Sequence, residues 1–103
     1  MSQFETIAIP GQTVWKKIDT TATASATTVL DQVADDSFNG LNYIVSIKDE
    51  TADKITTFKM DVNNKLDYQV YAKKSGGINY SINPILNASN VEIRLTNNET
   101  NEL

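Results

Sequence analysis

Carboxylates are the side chains of this sequence whose type and spacing could do chemistry. They form two clusters, Asp31, Asp35 and Asp36, and then Asp49, Glu50 and Asp53. Calcium prefers such clustered oxygen ligands, but neither cluster has the alternating acids, central glycine and terminal glutamate of an EF-hand loop. We interpret both as solvated loop charges, with a weak cation site as the alternative, and expect neither a resident metal nor another cofactor.

Asp61 and Asp67 flank a predicted turn at residues 63–65 and form a second candidate arrangement. Glycoside hydrolysis needs two carboxyl groups that face each other across a cleft. Acids are common at exposed hairpin ends, however, and a single small domain offers little cleft. The chain also has no histidine and no cysteine, which excludes imidazole and thiol catalysis. We therefore expect that the protein is not an enzyme.

Net charge and hydropathy argue against nucleic acid and membranes as partners. The 103 residues carry a net charge of −4, whereas nucleic-acid binding usually needs a basic face. No apolar run approaches the ~18 residues of a membrane span, and no basic segment leads into an apolar one as in a secretion signal. We expect a soluble single domain that binds neither nucleic acid nor membrane.

The elements that position these residues are predicted by alternation of apolar and polar side chains. Five segments show this period of two, at residues 41–48, 55–62, 66–72, 78–82 and 91–96. A period of two is typical of a strand with one buried face. The side chains predicted to point inward are Tyr43, Val45, Phe58, Met60, Val70, Ile82, Ile93 and Leu95. Tyr68 and Tyr80 are also in phase with the core. Ile44 interrupts a polar face, which predicts a central strand partly covered on both sides.

The connections between these strands are predicted from turn residues. Residues 63–65 and 75–77 suit hairpin turns, and residues 49–54 form a longer polar loop. Pro84 is expected to end its strand, since proline cannot donate to the ladder, and residues 84–90 then form a crossing loop. Residues 27–40 fit a strand followed by an Asn39-Gly40 turn, and they also fit a short capped helix.

These patterns predict an all-β fold, a small antiparallel β-sandwich with an extended N-terminal arm. Residues 1–26 are expected to form the arm and a spacer rich in Thr, Ala and Ser. Residues 27–97 form the sandwich, and residues 98–103 form a polar tail that frays. The spacer at residues 19–28 has no side chain expected to reach the core.

The order of the motifs resembles small virion structural proteins of tailed bacteriophages. The motifs are residues 28–31, the turn Asp36-Ser37-Phe38, a Y-x-V-x-I strand at 43–47, strands at 55–60 and 66–71, and a final N-V-x-I-x-L-T strand at 90–96. The resemblance implies a non-enzymatic structural protein located on the virion, as a head-surface (capsid decoration), tail or fibre module. It implies contacts with other virion proteins and with copies of itself, a trimer being favoured.

The residues predicted to make those contacts are Phe4, Ile7, Ile9, Trp15 and Tyr71. The first four give the arm more large apolar side chains than a disordered tail would have, and Tyr71 is out of phase with the core. The arm could pack on a neighbour, form a hairpin on its own sheet, or stay disordered. The alternative function is a receptor- or carbohydrate-binding module of a fibre or cell surface, in which Trp15 and Tyr71 would contact the ligand.

Overall fold

A computed structural model describes the backbone of residues 3–7 and 15–103, and the side chains from residue 17 onward. These residues form eight strands and no helix. The strands are β1 (Gln3–Ile7), β2 (Trp15–Asp19), β3 (Thr27–Ala34), β4 (Gly40–Asp49), β5 (Lys54–Asn63), β6 (Tyr68–Lys74), β7 (Tyr80–Asn87) and β8 (Asn90–Asn97).

Two antiparallel three-stranded sheets pack on each other, which confirms the predicted all-β antiparallel sandwich. One sheet has the order β3-β8-β7 and the other the order β4-β5-β6. Hairpins join β4 to β5, β5 to β6 and β7 to β8, whereas the chain crosses between the sheets after β3 and after β6. Strands β1 and β2 form a separate two-stranded antiparallel sheet.

The core lies between the two inner sheet faces. Its buried hydrophobic residues in the described part of the chain are Ala22, Ile47, Phe58, Met60, Val62, Ile78, Val91, Ile93 and Leu95. Phe58 stacks on Tyr80 with ring centroids 5.8 Å apart. All eight residues predicted to point inward are either in this cluster or packed against it, so the predicted inward direction of these side chains is confirmed.

The structure corrects the prediction for Pro84. Strand β7 continues through Pro84 to Asn87 and pairs with β8 along its whole length, so residues 84–90 are not a crossing loop. β7 is an edge strand, and an edge strand tolerates proline because one side of its ladder needs no donor. The crossing lies instead at residues 75–79, where a hairpin was predicted, and Gly77 there has φ of 81°.

For residues 27–40, the strand interpretation is confirmed and the helix alternative is wrong, but the turn lies at residues 35–36 and Gly40 is the first residue of β4. β3 pairs with β8, and its register shifts by one residue at Leu30. This β-bulge moves the inward phase from even to odd positions. Leu30 therefore packs on the core, and Asp31, the next residue, is also buried.

The spacer and the C-terminal segment lie against each other, which corrects two predictions. Ala22 is 2% exposed and belongs to the core. Its amide donates to the Leu103 carbonyl at 2.8 Å, and the Leu103 amide donates back at 2.9 Å. The tail therefore does not fray as expected, because backbone pairing with a segment far earlier in the chain holds its end.

Tyr68 is the aromatic residue whose predicted burial is wrong. It pairs with Val62 and so shares the inner face, yet 49% of it is exposed. β6 is an edge strand, and Tyr68 is its first residue, where the opposite sheet gives little cover.

Candidate functional site

Asp31 is a buried residue that joins the two sheets, and the interpretation of it as a solvated loop charge is wrong. Its Oδ2 accepts a 2.8 Å hydrogen bond from the Tyr43 hydroxyl, and its Oδ1 accepts one from the Gln32 amide at 2.9 Å. Burial raises the pKa of Tyr43 far above its ordinary value, and the Asp31 carboxylate raises it further. The arrangement keeps the tyrosine protonated as a donor to Asp31.

Asp49 is also buried, at 1% exposed, so it too is not a solvated loop charge. Its carboxylate accepts from the Ala52 amide at 3.0 Å, which closes the turn after β4, and from Asn101 Nδ2 at 3.2 Å. These donors hold the pKa of Asp49 below its ordinary value, the Ala52 amide contributing most. In the part of the chain that the structure describes, no three acidic side chains converge as a metal site.

Asp61 and Asp67 are each bonded to a different group. The Tyr71 hydroxyl donates to Asp61 at 3.3 Å, and Asn63 Nδ2 donates to Asp67 at 3.3 Å. Desolvation raises the pKa of Tyr71, and the Asp61 charge adds to the effect. Each of the two carboxyl groups therefore has its own hydrogen-bond partner on the neighbouring part of the sheet.

Tyr71 lies on the outer face of the β4-β5-β6 sheet, as its phase predicted. It pairs with Lys59, which in turn pairs with Ile44, so these three residues form a row across the sheet. Tyr71 is 37% exposed and Ile44 is 77% exposed. The prediction that β4 is a central strand partly covered on both sides is therefore wrong, since β4 is an edge strand and nothing described covers Ile44.

The other predicted contact residues lie in the N-terminal segment. The backbone register of the β1-β2 sheet places Ile7 opposite Trp15 and Phe4 opposite Ile18. The side chains of Phe4, Ile7 and Trp15, and Ile9 as a whole, lie outside the residues that the structure describes.

An open groove of about 500 Å³ lies beside β4, between residues 19–22 and the C-terminal segment. Leu30, Val45, Ile47 and Leu95 give it apolar walls, and most of its charged residues are acidic. The sequence did not indicate this groove, since residues 19–22 and 102–103 were expected to stay away from the sandwich. Two of its charged residues, Lys48 and Glu50, form an exposed ion pair of 4.0 Å at its wall.

Comparisons with known proteins add no relative. No protein-family model matches the chain, and neither a curated protein nor a solved structure is detectably similar to it. Within the described residues there is also no helix that could cross a lipid bilayer.

Proposed function

We propose that this protein is a non-enzymatic structural subunit of a bacteriophage virion, which works through contacts with its own copies and with other virion proteins. The resemblance of its motifs to those of small virion proteins suggests the setting. The suggested mechanism is burial of strand edges and apolar side chains between subunits.

The observation that carries the proposal is the separate sheet formed by β1 and β2. In the described part of the chain, this sheet hydrogen-bonds to neither sheet of the sandwich. A lone two-stranded sheet is marginally stable in water and gains stability when it packs on another surface. We suggest that a neighbouring subunit supplies that surface, while residues 20–26 link the sheet to the sandwich of its own chain.

The acidic residues support the non-enzymatic part of the proposal. Asp31 and Asp49, which could have belonged to a cation or catalytic site, instead hold Tyr43 and Asn101. Asp61 and Asp67 are bonded to different partners. Each of these four carboxylates is therefore engaged in hydrogen bonds within the protein.

The test is to look for the chain in purified virions and to measure its assembly. Quantitative mass spectrometry of gradient-purified particles should find the protein at a fixed copy number. In sedimentation velocity, the full chain should form species above 11.4 kDa. Trp15→Ala should reduce this assembly, whereas Ile55→Ala, which truncates an exposed β5 side chain, should not.

Two results would contradict the proposal. The first is absence of the protein from purified virions. The second is a chain that stays monomeric and binds a glycan array in a way that Trp15→Ala and Tyr71→Ala abolish, which would favour the carbohydrate-binding alternative.

A further inference from the structure

Three of the four edges of the sandwich carry a feature that discourages pairing with another chain. β3 has the bulge at Leu30, and β7 contains Pro84. β6 has one extra residue relative to β5, close to Ala72, and the φ of Ala72 is 52°. β6 also ends in two lysines. Bulges, prolines and lysines are the usual means by which edge strands avoid strand addition.

β4 forms the fourth edge and has none of these features along most of its length. Its ten residues pair with ten residues of β5 without a register shift. Residues 41–47 include no charge and no proline. A long, regular and uncharged edge is the kind that accepts a further strand.

The direction of the unpaired backbone groups follows from one hydrogen bond. The Asn64 amide donates to the Asn39 carbonyl at 3.2 Å, one step beyond the Gly40–Asn63 pair. In an antiparallel ladder the direction alternates, so odd residues of β4 point their backbone groups at β5. The N–H and C=O groups of Asn42, Ile44 and Ser46 therefore face the free edge, and no described backbone group pairs with them.

We propose that β4 of a second copy of this chain pairs antiparallel with this edge, about a two-fold axis at Ile44. This register places Ile44 opposite Ile44 and Asn42 opposite Ser46, all on the outer face. Lys48 lies opposite Gly40, so no charge meets a like charge. The edge is thus self-complementary, and the contact covers a side chain that is 77% exposed in one copy.

The β4 edge is thus a specific surface for the proposed self-assembly. This inference rests on the proposed function. Pairing of two β4 strands makes one continuous six-stranded sheet, with strand order β6-β5-β4-β4-β5-β6 across the two copies. A contact of this type uses the same patch on both subunits, so it gives a dimer or an assembly with an even number of copies. It differs in this respect from the trimer that the resemblance suggests.

Cysteine cross-linking tests the register, since the natural chain has no cysteine. Residues in a hydrogen-bonded antiparallel pair have Cα atoms ~5.5 Å apart, which lies within the Cα–Cα range of disulfides. Under mild oxidation, full-length Ile44→Cys should become a covalent dimer. Val29→Cys, an exposed position on the bulged β3 edge, should stay largely monomeric. A mixture of Asn42→Cys and Ser46→Cys should give the mixed dimer in preference to either homodimer.

A charge substitution tests the energetics without disturbing the monomer. Glu at position 44 would lie opposite Lys59 in its own chain, and Glu at position 29 would lie opposite Arg94. Ile44→Glu should weaken association by about tenfold or more, because two carboxylates then meet at the axis. Val29→Glu should leave association unchanged, and thermal unfolding should show that both variants are folded.

The outcomes separate this inference from the proposed function. Assembly that persists unchanged in Ile44→Glu, or equal cross-linking of Val29→Cys and Ile44→Cys, overturns the β4 contact and leaves virion assembly standing. A wild-type chain that stays monomeric overturns self-assembly. The presence or absence of the protein in purified virions then decides, as a separate question, whether it is a virion subunit. Assembly as trimers alone also overturns the β4 contact.

Discussion

The Tyr43 hydroxyl donates a 2.8 Å hydrogen bond to Asp31, and this bond connects the edge strand of one sheet to the edge strand of the other. Tyr43 lies on β4 and Asp31 on β3, directly after the bulge at Leu30. Without the extra residue, position 31 would face outward. The bulge therefore creates a polar clamp between sheets that otherwise contact through apolar side chains.

Removal of the tyrosine hydroxyl tests this clamp. Tyr43→Phe should destabilise the fold by about 1.5–3 kcal/mol, because a buried carboxylate loses a charge-assisted hydrogen bond. Urea unfolding followed by circular dichroism measures the change. A Tyr43→Phe protein as stable as the wild type would show that the bond contributes nothing to holding the sheets together.

The same residue should make stability fall in alkali. The unfolded chain releases the Tyr43 proton near pH 10, whereas the folded protein keeps it because its pKa is raised. Above that pH the unfolded state binds fewer protons than the folded state, so the free energy of unfolding decreases as pH rises. Urea titrations from pH 8 to about 11 should show a smaller decrease in Tyr43→Phe, whose phenyl ring cannot ionise.

Phe58 is the largest fully buried side chain of the described core and should dominate its stability. Phe58→Ala should cost about 3–5 kcal/mol, since the cavity left beside Tyr80 cannot refill completely. Ile55→Ala on the same strand is the control, because Ile55 is 55% exposed and should change stability by less than about 1 kcal/mol. Equal effects of the two substitutions would show that the assigned inner face of β5 is wrong.

Gly76 is required by a close backbone approach at the crossing from β6 to β7. A Cβ atom at this position would lie 1.9 Å from the Ile55 carbonyl oxygen, so the crossing would have to move. Moving it would also strain the 2.9 Å bond from the Gly76 amide to Thr56 Oγ1. Gly76→Ala should therefore cost about 1–3 kcal/mol or more.

Gly40 provides the matched control for this substitution. A Cβ atom there would contact only the Val62 carbonyl oxygen, at 3.8 Å, which is an ordinary contact. Gly40→Ala should leave the midpoint of thermal unfolding almost unchanged. A Gly76→Ala protein with the same midpoint as Gly40→Ala would contradict the close approach.

Asn101 should set the acid tolerance of the C-terminal segment. Its amide donates to Asp49 and helps to hold the pKa of that carboxyl below its ordinary value. The resulting stabilisation is present above the ordinary pKa of about 4 and is lost as pH falls through the lower folded value. In Asn101→Ala the Asp49 pKa should rise, and the loss of stability between pH 5 and 2 should become smaller. NMR titration of the Asp49 carboxyl carbon measures the shift, and an unchanged pKa would contradict the role of Asn101.

Local patterns were sufficient to predict most of the fold. Alternation in residues 55–62 placed Phe58 and Met60 inward because side-chain direction in a strand depends only on position along it. The turn after β5 was also predictable, because asparagine side chains favour turns by bonding nearby backbone groups. Asn63 Oδ1 accepts from the Lys65 and Asp67 amides, while Leu66 takes the positive φ of 68°.

The errors concern relationships between distant segments. Pro84 was expected to end a strand, but it lies within β7 because β7 is an edge strand. Whether a strand lies at an edge depends on the order of the strands in the sheet, which local sequence does not specify. Ala22 and Leu103 are small or terminal residues whose mutual pairing leaves no periodic signal. The exposed Ile44 was read as a sign of burial, although the uncharged run around it also fits an open edge. The candidate carboxylates Asp31 and Asp49 were evident from the sequence, but their pairing with Tyr43 and Asn101 was not, because it depends on the fold.

The pairing of β3 with β8 has a consequence for how this chain folds. The β4-β5-β6 sheet and the β7-β8 hairpin form between neighbours in sequence, whereas Thr27 pairs with Thr96. Closing so long a loop costs entropy before any contact compensates for it, and such non-local pairing slows folding. During synthesis, β3 is the first of the six sandwich strands to leave the ribosome. It stays unpaired until β8, the last strand and its partner, has emerged.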